Sequence, residues 1–332
     1  MRSPAAARGR RRLWAVLIVA ALLACGCTDD TSKAGPKPGP PTPSATGECG
    51  TLKIAYDPSN GYEASAFIVG TLAAEQLDCT VDYVKTTARQ AWHLVADGRA
   101  DVYLDAYGSD DLRARLTGAG KPVTVIGPNG IRGGVDLLAP DFMAQDGLTS
   151  APDLADVRKI GWGLTSPAIT TVPALLPLAQ AFLDFQQLDD YVVRDYDQLS
   201  GASGMAGLLQ QAGDDDSRSV PNLYLAEGPR LLLGDRPGQA SVQIPASASG
   251  PCTPDGRTTL CRLTDFRYQK IVNSSFAASG SPAYSLVYHY QLGSEDAGTI
   301  LELVELSGFD VGEPDVASWL NTHQATWRRW LS

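Results

Sequence analysis

Asp57 and Glu63 flank Tyr62 at the two ends of a run of turn formers, Asp57-Pro58-Ser59-Asn60-Gly61. Carboxylates beside an aromatic face can hold a cation by charge and by cation–π attraction, although a charge in a loop can equally be solvated. Farther on, Gly161-Trp162-Gly163-Leu164-Thr165-Ser166-Pro167-Ala168 sits where a strand is expected to pass into a helix. Free backbone N–H groups at such a junction bind carboxylates, Thr165 and Ser166 would add hydroxyl donors, and Trp162 is either a wall of the site or a core ring. These residue types offer capture rather than turnover. The chain has no G-x-S-x-G elbow, H-E-x-x-H or Walker loop; Gly201-Ala202-Ser203-Gly204 lacks the lysine that a phosphate loop needs. His93, His289 and His323 are scattered, and Asp214-Asp215-Asp216 reads as a solvated acidic loop. No catalytic set, metal site or cofactor is expected.

Six cysteines add a second kind of chemistry. Cys49 and Cys79 each precede a strand-like run, so a bridge between them would staple two neighbouring strand starts. Cys252 and Cys261 flank the turn-rich Thr253-Pro254-Asp255-Gly256, which favours a local bridge. Four cysteines allow three pairings, and neither pair has the tight spacing of a zinc site. The other two, Cys25 and Cys27, follow a leader. Arg8, Arg10, Arg11 and Arg12 precede the apolar run Leu13–Ala24, which is short for a membrane span and has the layout of an export signal. Leu22-Leu23-Ala24-Cys25 resembles a bacterial lipobox, with Cys25 as the lipidated residue and Cys27 as the alternative. An exported compartment permits disulfides.

Proline at 36, 38, 40, 41 and 43 makes residues 25–47 a solvated tether. Loss of the leader before Cys25 removes five arginines and no acid, leaving 22 basic against 37 acidic residues, a net charge of −15. That balance argues against nucleic acid as a partner.

The body must position the candidate residues. Leu52–Tyr56, Thr80–Val84 and Ala100–Leu104 read as strands, with helices over Ala64–Gln76 and Thr87–Asp97, an order that implies a parallel sheet. Val123–Ile126 and Gly134–Leu138 read as two further strands. A second series follows: a short helix Ala151–Val157, strand Lys159–Trp162, helix Pro173–Leu188, strand Tyr191–Arg194, helix Ser203–Gln211 and strand Asn222–Ala226. Helices are expected over Ala283–Gln291, Ser294–Leu306 and Asp315–Leu331. The expected fold is α/β, two lobes with a ligand cleft between them: signal 1–24, tether 25–47, lobe one 48–133, lobe two 134–265, and a helical tail 266–332 completing the fold. Ligands in open α/β sheets sit beyond the carboxyl ends of strands, and clefts between lobes are favoured pockets.

Ala96-Asp97-Gly98-Arg99-Ala100-Asp101-Val102-Tyr103-Leu104-Asp105-Ala106-Tyr107 resembles a segment of the glycine-betaine, proline-betaine and choline binding proteins of ABC transporters. So do Gly134–Pro140 followed by Leu148–Leu154, and the tail with Pro282, Gly308, Trp319-Leu320 and Trp327–Leu331. The resemblance runs in order through most of residues 50–332. It implies a type II periplasmic-binding-protein-like fold that closes on a quaternary ammonium held by aromatic rings. It places Tyr107 and Tyr62 among those rings, with Asp105 beside the cage, where it either touches ligand or organises the loop. Where relatives carry Trp-x-Pro-His, this chain has Glu227-Gly228-Pro229-Arg230; a carboxylate there could neutralise a cation that lacks its own anion. The implied protein is a monomeric lipoprotein on the outer face of the bacterial cell membrane, delivering glycine betaine, choline or a similar solute to an ABC permease and its ATPase. Readings from other classes are a ligand-sensing lipoprotein without a transport role and an exported hydrolase.

Overall fold

The computed structural model describes residues 47–58, 63–160, 167–196, 204–215, 222–234, 238–242, 266–307 and 311–332. The leader with Cys25 and Cys27, and Tyr62, Trp162, Thr165, Ser166, Cys252 and Cys261 lie outside them.

Alternating buried residues start the sheet. In β1 (Thr51–Tyr56) Leu52 and Ile54 are fully buried, each contributing about 1.5–3 kcal/mol of burial. β2 (Thr80–Lys85) and β3 (Val102–Ala106) pair with β1 in parallel. Two crossover helices make this possible. α1 (Ala64–Leu77) is alanine-rich and stops at Asp78, which adopts left-handed backbone (φ 52°) and donates its N–H to the Ala73 carbonyl. In α2 (Ala88–Ala96) the Thr87 hydroxyl accepts from Gln90 N–H, and Gly98 (φ 69°) turns the chain at the far end. α3 (Asp110–Leu116) follows β3. Cys49 and Cys79 form a disulfide with Cα atoms 5.0 Å apart, joining the chain before β1 to the start of β2 as expected.

The two strands expected at 123–126 and 134–138 are one, β4 (Val123–Pro140), 18 residues long. The glycines between them do not break it, because the bends they allow are absorbed as register shifts between Val125 and Gly127 and between Pro128 and Arg132. Phe266–Asn273, in the segment read as helical, is a strand, β9. It lies between β3 and β4, antiparallel to both.

The second series departs at one strand. Lys159 and Ile160 belong to a 3₁₀ segment (Ala151–Ile160), and the strand beside its neighbours is β5 (Ala168–Thr171), all four residues buried. Two β-branched threonines and Ile169 suit a strand buried on both faces, which the glycines around Trp162 do not. α4 (Asp141–Gln145) precedes the 3₁₀ segment, α5 (Leu176–Gln186) follows β5, and β6 (Val192–Asp195), α6 (Gly204–Asp214), β7 (Asn222–Pro229), α7 (Arg230–Leu233) and β8 (Gln239–Val242) complete the series. The strands form one sheet in the order β2-β1-β3-β9-β4-β7-β5-β6, with β8 also on β4. At Gly133, β4 has β9 on one side (Phe266) and β7 on the other (Pro229). β4 is therefore the strand shared by the two halves of the sheet.

The tail supplies α8 (Ser274–Ala277), α9 (Pro282–His289), α10 (Ser294–Leu306), α11 (Glu313–Thr322) and α12 (Gln324–Trp327). α1 packs against α9 and α11. The buried Lys270 of β9 donates to the carbonyls of Val287 (3.0 Å), Tyr288 (2.6 Å) and Tyr290 (2.5 Å), tying the end of α9 to the sheet.

Candidate functional site

The carboxyl ends of β1 and β3 and the start of the antiparallel β9 meet at one edge of the first half-sheet. Tyr107, just past β3, stacks on Phe266 with ring centroids 4.8 Å apart and planes 13° from parallel. It meets Tyr268 edge-on at 5.0 Å, and Phe266 meets Tyr268 edge-on at 5.3 Å. These geometries are the favoured ones for aromatic pairs. The cluster needs Gly133: a Cβ there would lie 2.2 Å from the Phe266 ring. Its neighbour Gly134 has the Arg230 guanidinium over it, 2.5 Å from where a Cβ would stand, and Arg230 pairs with Asp136 at 2.6 Å. Two adjacent glycines thus admit an aromatic ring from β9 and a guanidinium from α7 onto the shared strand.

Carboxylates lie behind this edge. Asp57 is buried, and its Oδ2 accepts the Ala88 N–H at 2.6 Å, fastening the loop after β1 to the first turn of α2, where the helix dipole favours a negative charge. Glu63 is buried directly before α1. Asp105, 3% exposed, accepts from Asn129 Nδ2 at 2.8 Å. Burial pushes its carboxyl up to about 7, against the pull of hydrogen bonds from Ser65 and Asn129 and with a push from Asp57. Burial raises the pKa of the Tyr103 hydroxyl, and Asp105, Tyr107 and Asp57 push it in the same direction.

Over residues 50–217 the sequence matches the family described as the substrate binding domain of the ABC-type glycine betaine transport system. The chain belongs to that family. Three solved structures resemble this substrate-binding domain. One is a choline binding protein of an ABC transporter in complex with choline (15% identity, TM-score 0.62, covering 85% of this chain and 93% of that one). Another is the glycine betaine/L-proline-binding protein ProX from Borrelia burgdorferi (14%, 0.59, 85% and 97%). The third is lactococcal OpuAC in its closed form with glycine betaine (16%, 0.54, 85% and 99%). Likeness at this level carries the fold, the two-lobed type II periplasmic binding protein. No curated protein matches the sequence.

Of the residues expected in the binding site, the fold brings Asp57, Asp105 and Tyr107 to one edge and leaves Glu63 at the start of α1. Glu227, half-buried on β7, stands opposite Val135 of β4, two residues from the Pro229–Gly133 pair that borders Phe266. The edge therefore runs from Tyr107 through Phe266 and Gly133 to Pro229 and Glu227. Phe266 is the half-buried aromatic residue beside Tyr107 that sequence reasoning missed, and the fully buried Tyr268 supports both rings from the core. Their signal was the alternation Phe266-x-Tyr268-x-Lys270 in an apolar run, a strand pattern placing both rings on one face.

A cavity of about 250 Å³ opens beside Tyr107 and Phe266, with Trp92, Arg113 and Gln269 among its walls. A larger one, about 680 Å³, lies at the opposite, amino ends of β1 and β3. Two of its polar side chains are engaged in structure: Asp101 accepts the Lys53 N–H at 2.8 Å, and Asn273 Nδ2 donates to the Val95 carbonyl at 2.8 Å. The carboxyl-end site is the one that obeys the α/β rule. Among the described residues no His, Cys, Asp and Glu cluster suits a metal, and no helix is long and apolar enough to cross a membrane.

Proposed function

We propose that this chain is the extracytoplasmic solute-binding component of an ABC importer and that it binds a small quaternary ammonium osmoprotectant, glycine betaine, choline or a close analogue. The observation that carries the reading is the Tyr107–Phe266–Tyr268 cluster at the strand ends, with the carboxylates of Asp57 and Asp105 buried nearby. A quaternary ammonium has no N–H to donate, so it is held by ring faces, at about 0.5–2 kcal/mol per ring, and by nearby negative charge. The ligand site takes Tyr107 with Tyr62, Trp162, Thr165 and Ser166. Asp57, Glu63 and Asp105 lie behind it and Glu227 faces it from the second lobe. Glu227 supplies the charge that choline lacks and betaine carries, which favours choline. Closure of the lobes buries the ligand, and the permease with its ATPase reads the closed form. The protein acts as a monomer, held at the outer face of the membrane by a lipid on Cys25 or Cys27, with residues to 47 as tether and lobes at 48–133 and 134–265.

A thermal-shift panel of glycine betaine, proline betaine, choline, carnitine, ectoine, proline and polyamines tests the reading. A ligand at about 100 times its dissociation constant adds about 2.7 kcal/mol of stability. A rise in Tm with choline or a betaine is the expected result. No rise with any quaternary amine overturns the ligand class.

A further inference from the structure

β9 offers two chemistries at one strand end. Phe266 and Tyr268 leave it on one face and Arg267 on the other, because successive side chains of a strand alternate. Arg267 is paired directly opposite Arg132 of β4 in the antiparallel register, and both are exposed. Like charges directly opposite each other across two strands repel. Arg267 also lines the cavity of about 250 Å³, and so does the exposed Arg113 of α3. Among the described residues, none of these three guanidiniums has a hydrogen bond or an ion pair. Asp111 of α3 is already taken, since Arg89 donates to both of its oxygens, at 3.2 and 2.8 Å. Of the described acidic residues, Asp110 alone lines the cavity. The chain has 37 acidic residues for 27 basic ones, so three arginines gathered without an acidic partner run against its composition.

The cavity wall adds a further donor. Trp92 of α2 lines it and is 3% exposed, and its indole N–H is buried with no acceptor among the described residues. Buried donors are nearly always paired, and an unpaired one in a cavity wall calls for an acceptor brought from outside. We propose that this cavity is a binding site for a small oxyanion, a carboxylate or phosphate group, held by Arg113 and Arg267 with Arg132 beside them and with the Trp92 N–H as the buried donor. Guanidinium forks match the paired oxygens of both groups. At about 30 Å³ per water, the cavity has room for a compact oxyanion with part of its hydration shell. The bound anion also relieves the repulsion between Arg132 and Arg267. Tyr107 and Phe266 line the same cavity, so it shares a wall with the aromatic cluster. The two sites ask for opposite charges, because ring faces are negative and repel an anion while guanidiniums repel a cation. The oxyanion site is therefore separate from the solute site proposed above and does not depend on it.

The test is a titration of the purified protein with sodium phosphate and, separately, with sodium acetate, each against sodium chloride at equal ionic strength, following the indole N–H signals by NMR. The Trp92 signal, identified by its loss in W92F, should move saturably with one or both oxyanions and stay in place with chloride. The tighter of the two names the group. R113Q and R267Q should each weaken that oxyanion about tenfold, as expected for the loss of a charge-assisted fork. In chloride, R267Q should melt at or above the wild-type Tm, since it removes the repulsion with Arg132. The oxyanion should raise the Tm of the wild type and leave that of the R113Q/R267Q double variant unchanged. A Trp92 signal that moves equally with chloride, or oxyanion affinity unchanged in R113Q and R267Q, overturns the proposal. So does a lower Tm of R267Q in chloride, which would make this arginine a structural one.

Discussion

Tyr107 and Lys270 show how differently single residues contribute. Tyr107 sits half-buried with one face on Phe266 and an edge on Tyr268, so its role is to present a ring. Removing it as Tyr107→Ala should weaken quaternary-ammonium binding about tenfold or more, measured by calorimetry; unchanged affinity would take the ring out of the site. Lys270 has the opposite character. The residue is 2% exposed and its Nζ donates to three carbonyls at the end of α9, while burial pulls its pKa down to about 7. Lys270→Met keeps the length of the side chain but leaves those carbonyls buried without their donor. It should cost about 2–4 kcal/mol in urea unfolding, with little change in affinity once folded. A basic residue in an apolar strand reads in sequence as a solvent-facing position; only the helix end packed over it explains why it is buried.

At the scale of elements, β4 and the Cys49–Cys79 bridge are the parts to perturb. Gly133→Ala would thrust a methyl into the Phe266 ring, which must move or tilt off Tyr107. The expected outcome is a loss of about 1–3 kcal/mol from overpacking, together with weaker ligand binding, since the displaced ring belongs to the site. Equal stability and affinity in that variant would mean the cluster is not built as described. The disulfide closes a loop of 30 residues at the edge of the sheet. Replacing both cysteines by serine should lower stability by about 3.5 kcal/mol on the chain-entropy account, read as a lower midpoint in denaturant. The strand β9 was legible in principle, from Phe266-x-Tyr268-x-Lys270 and the β-branched Ile271-Val272, yet its place between β3 and β4 was not. It follows β7 by many residues and returns to the first half of the sheet, a long-range pairing that no local pattern encodes.

For the whole molecule, the pH dependence of unfolding carries the signature of the buried carboxylate. Asp105 has its pKa raised to about 7 in the folded state, whereas an exposed aspartate titrates near 4. The folded state therefore binds the proton more tightly than the unfolded chain. The stability this contributes is complete below about pH 4 and is lost as pH rises through about 7, with an upper bound of about 4 kcal/mol. As pH rises from 4 to 8, the urea midpoint of the wild type should fall relative to that of Asp105→Asn. A slope of the opposite sign that depends on this residue would contradict the burial assigned to it.

The sequence by itself determined the α/β class, the first three strands with their helices and the membership that the family match bears out, while the structure selected Cys49–Cys79 from the three pairings the sequence allowed. Those features are written locally, in apolar periodicity, capping residues and strings such as Asp101–Tyr107. The tertiary structure decided the rest. It made one long strand of two, by bending at Asn129-Gly130 instead of stopping there. It moved the strand expected at 159–162 to Ala168–Thr171, where β-branched residues can be buried on both faces. It set Phe266, more than 150 residues along the chain, against Tyr107. It also set Asp57 on a helix terminus and Asp105 on an asparagine, partners that the sequence, which left each open between a ligand contact and another role, did not name. Burial and partner identity are properties of surfaces brought together by the whole fold, and a residue's neighbours in sequence do not contain them.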